Sequence, residues 1–189
     1  MENTRTKTTR NSLILLLTAA IWGMAFVSQS KGMDYMHPFT FNGVRSLIGA
    51  ASILVYILIS RKIAGDKAAP LDWKLNVKAG LLCGIFLTIA STLQQFGIKY
   101  TSVGKAGFIT TLYIIFVPMF GIFLKKKVAP VVWAAAVMAA VGMYLLCMTE
   151  SLRLGAGDIM VFLCAIAFAI QIMTVDHYAA RIDGAVVSC

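Results

Sequence analysis

The feature that most constrains this chain is a succession of apolar blocks, each roughly 18–22 residues long, joined by short polar segments. A helix needs about 20 apolar residues to cross about 30 Å of hydrocarbon, and such blocks do not follow one another in a soluble core. Six can be drawn, over about Ser12–Ser30, Pro38–Ser60, Leu75–Ile98, Val103–Leu124, Val131–Met148 and Asp158–Tyr178. Within lipid each segment must satisfy its own backbone polar groups, so blocks of this length are helices. The fold class is therefore all-α: a polytopic membrane bundle of about six transmembrane helices. Composition agrees, at 59% hydrophobic and 13% charged residues, where soluble domains average about 45–50% apolar and about 25% charged. Arg5, Lys7 and Arg10 precede the first apolar run in the manner of a signal peptide. That run continues from Leu13 to about Val27 and further spans follow, so it reads as an uncleaved first helix.

A net charge of +9 in a soluble protein would suggest nucleic acid. Here the cations sit on loop ends and form no patch interleaved with aromatics, which argues against a nucleic-acid partner. Twelve fall on one side of the predicted spans: Arg5, Lys7, Arg10, Arg61, Lys62, Lys67, Lys74, Lys78, Lys125, Lys126, Lys127 and Arg181. Four fall on the other, Lys31, Lys99, Lys105 and Arg153, and Arg45 lies within a span. By the positive-inside rule the N-terminus lies in the cytoplasm, and the lipid bilayer expected is the cytoplasmic membrane. Trp73 and Trp133 suit interfacial anchors.

Two pairs of small residues, Gly80 with Gly84 and Ala136 with Ala140, suit close helix packing. The cysteines Cys83, Cys147, Cys164 and Cys189 show no metal-ligand spacing, and no metal or cofactor is expected. There is no HExxH, no GxSxG and no phosphate-cradling loop, so an enzyme is not expected.

The chain also carries an internal similarity. LTAAIWGMAFV in the first span aligns with LCAIAFAIQIM in the sixth, setting Trp22 on Phe168 and Ala19 and Gly23 on Ala165 and Ala169. Five helices, an odd number, separate the starts of the two copies, so the second begins on the opposite membrane face. That is an inverted-topology repeat, the recurrent architecture of secondary transporters. The organisation expected is a cytoplasmic tail over 1–11, a first five-helix repeat over 12–149 and the start of a second over 155–189. A chain ending so early in its second repeat, at DGAVVSC, is expected to be partial.

AIWGMAFV, NGVRSLIGAASIL, QQFGIKYTSVGKAGFITTLYIIFVPMFGIFL and GDIMVFLCAIAFAIQIM, in that order, resemble the EamA-type transporters of the drug/metabolite transporter superfamily. The resemblance implies a ten-helix transporter of two inverted five-helix repeats, mostly exporting amino acids, metabolites or drugs. The family usually closes its fourth helix with a Gly-Glu pair, where this chain has Lys125, Lys126 and Lys127. The partners expected are a small-molecule substrate, a coupling ion such as a proton, and either the second repeat or a second copy of the chain. The competing readings are a membrane scaffold or assembly subunit that transports nothing, or an inactive fragment.

Ionisable groups within hydrocarbon are costly and therefore candidates for function. Arg45 either anchors a substrate carboxylate or gates the path, or else snorkels outward or pairs with a loop acid such as Asp34. Gln29, Asn42, Gln94 and Gln95 fall in the outer half of the bundle, with Thr110, Thr111 and Tyr113 near its middle. They either line a vestibule or join helices by hydrogen bonds. Trp22 is deep enough to stack on a substrate or to fill the core, and Gln171 belongs to the inner half. Asp176 and His177 form either a proton relay or a solvated helix end, and Pro118 can kink the fourth span.

Overall fold

The computed structural model describes residues 2–64, 72–124, 128–147 and 155–179. They form seven helices: α1 (Glu2–Gly32), α2 (Pro38–Ala64), α3 (Trp73–Tyr100), α4 (Val103–Thr111), α5 (Tyr113–Phe123), α6 (Pro130–Cys147) and α7 (Ala156–Tyr178). Helices α4 and α5 together make one apolar span over Val103–Phe123, and with α1, α2, α3 and α7 they give five spans long and apolar enough to cross a membrane. In α6 the apolar stretch is shorter, Pro130–Gly142. The protein is thus a multi-pass helical membrane bundle, as the block pattern predicts. The run Lys125–Lys127 lies outside the described residues.

Local chemistry places the helix starts. Asp72 caps α3 by accepting the Leu75 backbone N–H at 3.1 Å, and Ser102 caps α4 by accepting that of Lys105 at 3.2 Å. Such side-chain oxygens satisfy N–H groups that a helix leaves without partners in its first turn. Helix α2 opens on Pro38, where the missing N–H costs nothing. The fourth span is interrupted at Leu112, whose N–H turns back to the Ile109 carbonyl at 3.2 Å. The interruption precedes Pro118, which lies buried inside α5.

The core is built between α3 and α7. Ala79, Cys83, Ala90, Gln94 and Ile98 follow one another at near-helical spacing down the buried face of α3. Val161, Cys164, Ala165, Phe168 and Ala169 do the same on α7. Six of the ten are Ala or Cys, so the two backbones can come close, which is how helices associate where apolar burial gives no net drive. At the closest point a Cβ on Gly157 would stand 2.8 Å from the Gly97 carbonyl oxygen. The expected Gly80/Gly84 contact is not what draws α3 in, because nothing lies within 4 Å of a Cβ at Gly84. Ala136 does behave as expected: it is 1% exposed and, with Ala140, packs beside Phe108, Leu112 and Ile115.

Helices α4 and α5 also pack against α7, and α6 packs against them in turn. Helices α1 and α2 join α3 by hydrogen bonds in its last third, while the apolar residues from Leu13 to Leu17 on α1 stay more than half exposed. Two ends can be distinguished. At the Thr101 end, α3 finishes where α4 and α7 begin; at the Tyr178 end, α5 and α7 finish.

A candidate substrate pathway

The polar residues of the first four spans form a belt near the Thr101 end, tied helix to helix. Gln95 donates its side-chain N–H to the Gln29 backbone carbonyl at 3.3 Å, joining α3 to α1. Gln94 donates to the Thr110 hydroxyl at 3.3 Å, joining α3 to α4. Asn42 donates to the Ser91 carbonyl at 3.1 Å, joining α2 to α3. Gln95 is fully buried, and Gln29, Gln94 and Thr110 are each at most 5% exposed. Among the described residues two buried side-chain acceptors remain without a donor, the oxygens of Gln29 and Gln95. Thr111 is not part of the belt, since its hydroxyl turns back to the Gly107 carbonyl on its own helix at 2.7 Å.

Arg45 lies at the rim of this belt on an exposed face of α2. Its guanidinium donates to the Asn42 side-chain oxygen at 3.0 Å and sits 5.9 Å from the centre of the Phe41 ring. Its partners thus belong to its own helix, and Asp34 is not among them. Because Asn42 holds Ser91 in turn, the cation is tethered to α3 through one intermediary. At the start of α2 His37, Phe39 and Phe96 pack edge and face, with Phe39 and Phe96 centred 5.3 Å apart.

Trp22 lies seven residues before Gln29, hence on the same face of α1 two turns deeper. It is 53% exposed, so within this chain it is no core filler. Tyr113, at the start of α5, packs against the core with its ring 6.4 Å from that of Phe168. Gln171 is half-buried, one turn past Phe168 on α7. The candidates therefore do not form one cluster. Gln94 and Gln95 share the belt, Arg45 caps it, and Trp22, Tyr113 and Gln171 lie deeper.

At the Tyr178 end a groove of about 520 Å³ opens between α5 and α7, lined by Phe120, Phe123, Leu124, Ile170, Met173, Thr174, His177 and Tyr178. The His177 ring meets that of Tyr178 edge-on at 4.9 Å. Asp176 and His177 are both exposed, as a solvated helix end would be. Among the described residues no three His, Cys, Asp or Glu side chains come together to hold a metal ion.

Sequence reasoning missed a second polar cluster at the Thr101 end. The Asp158 carboxylate, 3% exposed, accepts the Thr101 hydroxyl of α3 and the Gly155 backbone N–H at 2.9 Å. It also lies 3.8 Å from the Lys105 ammonium of α4. An acid three residues after Gly155 marks a helix start. Nothing local in the sequence joins it to Thr101 and Lys105.

Among the described residues the bundle thus holds a polar belt, a tethered cation at its rim and a groove at its far end. An uncharacterized transporter of Archaeoglobus fulgidus is 31% identical over 171 residues, covering 87% of this chain and 48% of that protein. The chain thus spans about half the length of that relative. No solved structure matches it. Residues 10–148 match the model of the EamA-like transporter family, a stretch that takes in α1 to α6 with the belt, Arg45 and Lys105, and on that match the chain belongs to this family.

Proposed function

We propose that this chain supplies the first five-helix repeat, and the first helix of the second, of a transporter for small metabolites, amino acids or drugs. The single observation that carries the reading is the family match over residues 10–148. Its mechanism is alternating access, with one repeat rocking against the other around a cavity near the membrane midplane. The direction is export, from a cytoplasmic membrane with the N-terminus inside, driven by a proton or solute gradient. Arg45 anchors a substrate carboxylate at the rim, Gln94 and Gln95 follow it inward, and Trp22, Tyr113 and Gln171 line the deeper path.

The exposed face of α1 fits this proposal. In the internal alignment Ala19, Trp22 and Gly23 correspond to Ala165, Phe168 and Ala169 on α7, and those three are buried against the first repeat. A second repeat, or a second copy of this chain, would cover α1 in the corresponding way. A scaffold subunit would pair all its polar groups. The donorless oxygens of Gln29 and Gln95 and the open groove favour transport instead.

The test is solute counterflow into proteoliposomes holding the full chain, with a panel of labelled amino acids, carboxylates and cationic drugs. Saturable flux of at least one class, reduced in Arg45→Ala, is the expected result. No saturable flux from well-folded protein, alone or joined to a second repeat, would leave the scaffold reading in its place.

A further inference from the structure

At the Thr101 end side chains tie α3, α4 and α7 together, whereas at the Tyr178 end a groove separates α5 from α7, and the family match does not explain the tie. Three helices converge on one carboxylate. Asp158, at the start of α7, holds the Thr101 hydroxyl at the end of α3 and faces the Lys105 ammonium at the start of α4. Beside it α3 and α7 touch backbone to backbone. A Cβ on Gly157 would stand 2.8 Å from both the Gly97 oxygen and the Tyr100 carbonyl carbon. On the same third of α3 Gln95 is completely buried, and among the described residues the side-chain oxygens of Gln29 and Gln95 have no donor. Those groups regain partners as soon as water reaches them, so the closed end carries a penalty that opening removes. A contact that holds such an end shut is what a two-state gate requires.

We propose that Asp158, Thr101 and Lys105 form the latch of a gate at the Thr101 end, so that parting Asp158 from Thr101 and Lys105 opens the path to Gln95. The Gly97–Gly157 contact is the surface that separates. The inference rests on the alternating-access reading, yet its test needs no substrate. Asp158 also caps α7 through Gly155, and a cap alone would be merely structural. Thr101→Val separates the two roles, because it removes the bridge to α3 and leaves the cap and the lysine in place.

The experiment uses the full chain in lipid nanodiscs, where both faces are reachable, with its four cysteines replaced. One reporter cysteine is placed at Ile98, which is 3% exposed beside the latch, and another at Met173 in the groove. Labelling by a charged maleimide is timed at each. Thr101→Val and Lys105→Met are expected to raise the rate at position 98 about tenfold and to lower it at position 173, because one population grows at the other's expense. The proposal is overturned if Asp158→Ala alone has an effect, which would make Asp158 a cap. It is overturned equally if labelling rises at both positions, which is general loosening, or changes at neither. Reciprocal labelling without flux of any solute would keep the gate and refute only the proposed substrates.

Discussion

Gln95 on α3 gives its side-chain N–H to the Gln29 carbonyl on α1 at 3.3 Å, while among the described residues the side-chain oxygen of each has no donor. The bond fixes which way the Gln95 amide points, since its oxygen would repel the carbonyl if reversed. A buried acceptor without a donor costs about 1–3 kcal/mol, whereas a satisfied pair contributes only about 1 kcal/mol. Gln95→Met removes one bond and one orphaned oxygen together, and the Met33 N–H still reaches the Gln29 carbonyl at 3.3 Å. Its stability in detergent is therefore expected to stay within about 1 kcal/mol of the parent. A loss of several kcal/mol in a thermal or denaturant melt would mean the oxygen has a partner, such as a bound water, that the side chains do not supply.

The glycines give a sharper contrast. At Gly157 the atoms facing a new Cβ are backbone, at 2.8 Å, and backbone cannot swing aside. Gly157→Ala must part α3 from α7 and is expected to cost about 1–3 kcal/mol, as overpacking does in other cores. At Gly97 the first obstacle is a Val161 methyl, the end of a side chain, and the nearest backbone atom, the Gly157 oxygen, stands farther off at 3.0 Å. Gly97→Ala is thus milder, and Val161→Ala beside it should recover part of the loss. Gly84→Ala, with open space around it, should be neutral or slightly stabilising because alanine favours the helix. Melting temperatures of the four variants in one detergent decide the order.

These two sites also show how far the sequence could be read. The ends of α3 were within two residues of expectation, because Asp72 and Thr101 bound the apolar run on both sides. Lipid requires each span to close its own hydrogen bonds, so the local sequence suffices for the helices. It does not suffice for their contacts. Gly80 with Gly84 and Gly97 with Gly157 are equally small, and only the path of α7 decides which glycine meets a neighbour. The interruption at Leu112 follows Gly107, Thr110 and Thr111 and precedes Pro118, yet none of these marks Leu112 itself as the place where the helix turns. Gln94 and Gln95 were recognisable as polar groups at membrane depth, but their partners Thr110 and Gln29 come from two other helices. Asp158 looks like an ordinary helix start until Thr101 and Lys105 are brought beside it.

Arg45 is bonded to Asn42 at 3.0 Å, and Asn42 holds Ser91 through a different atom, its side-chain nitrogen. Removing the guanidinium therefore leaves the α2–α3 tie in place. Arg45→Ala is expected to change folded yield little, since exposed polar contacts contribute about 0–1 kcal/mol. Flux of carboxylate-bearing solutes should fall about tenfold or more, while flux of cationic solutes does not. Arg45→Lys should recover only part of it, because lysine lacks the planar fork that grips a carboxylate by two bonds. Equal losses of yield and flux, or equal losses for both solute classes, would make Arg45 structural.

The orientation itself can be read from α2. Its 27 residues span about 40 Å at 1.5 Å per residue, more than the hydrocarbon is thick. Lys31, in the last turn of α1, and Lys62, in the last turn of α2, must therefore face opposite sides of the membrane. The cation count predicts Lys31 outside and Lys62 inside. A membrane-impermeant maleimide applied to intact cells should label Lys31→Cys, and should label Lys62→Cys only after permeabilisation. The same holds for a cysteine at Lys67, which lies outside the described residues. If the pattern is reversed, the N-terminus is outside and the groove, not the latch, faces the exterior. The closed and open ends would then exchange sides, while the nanodisc labelling that tests the latch would be unaffected, because it does not depend on which face is which.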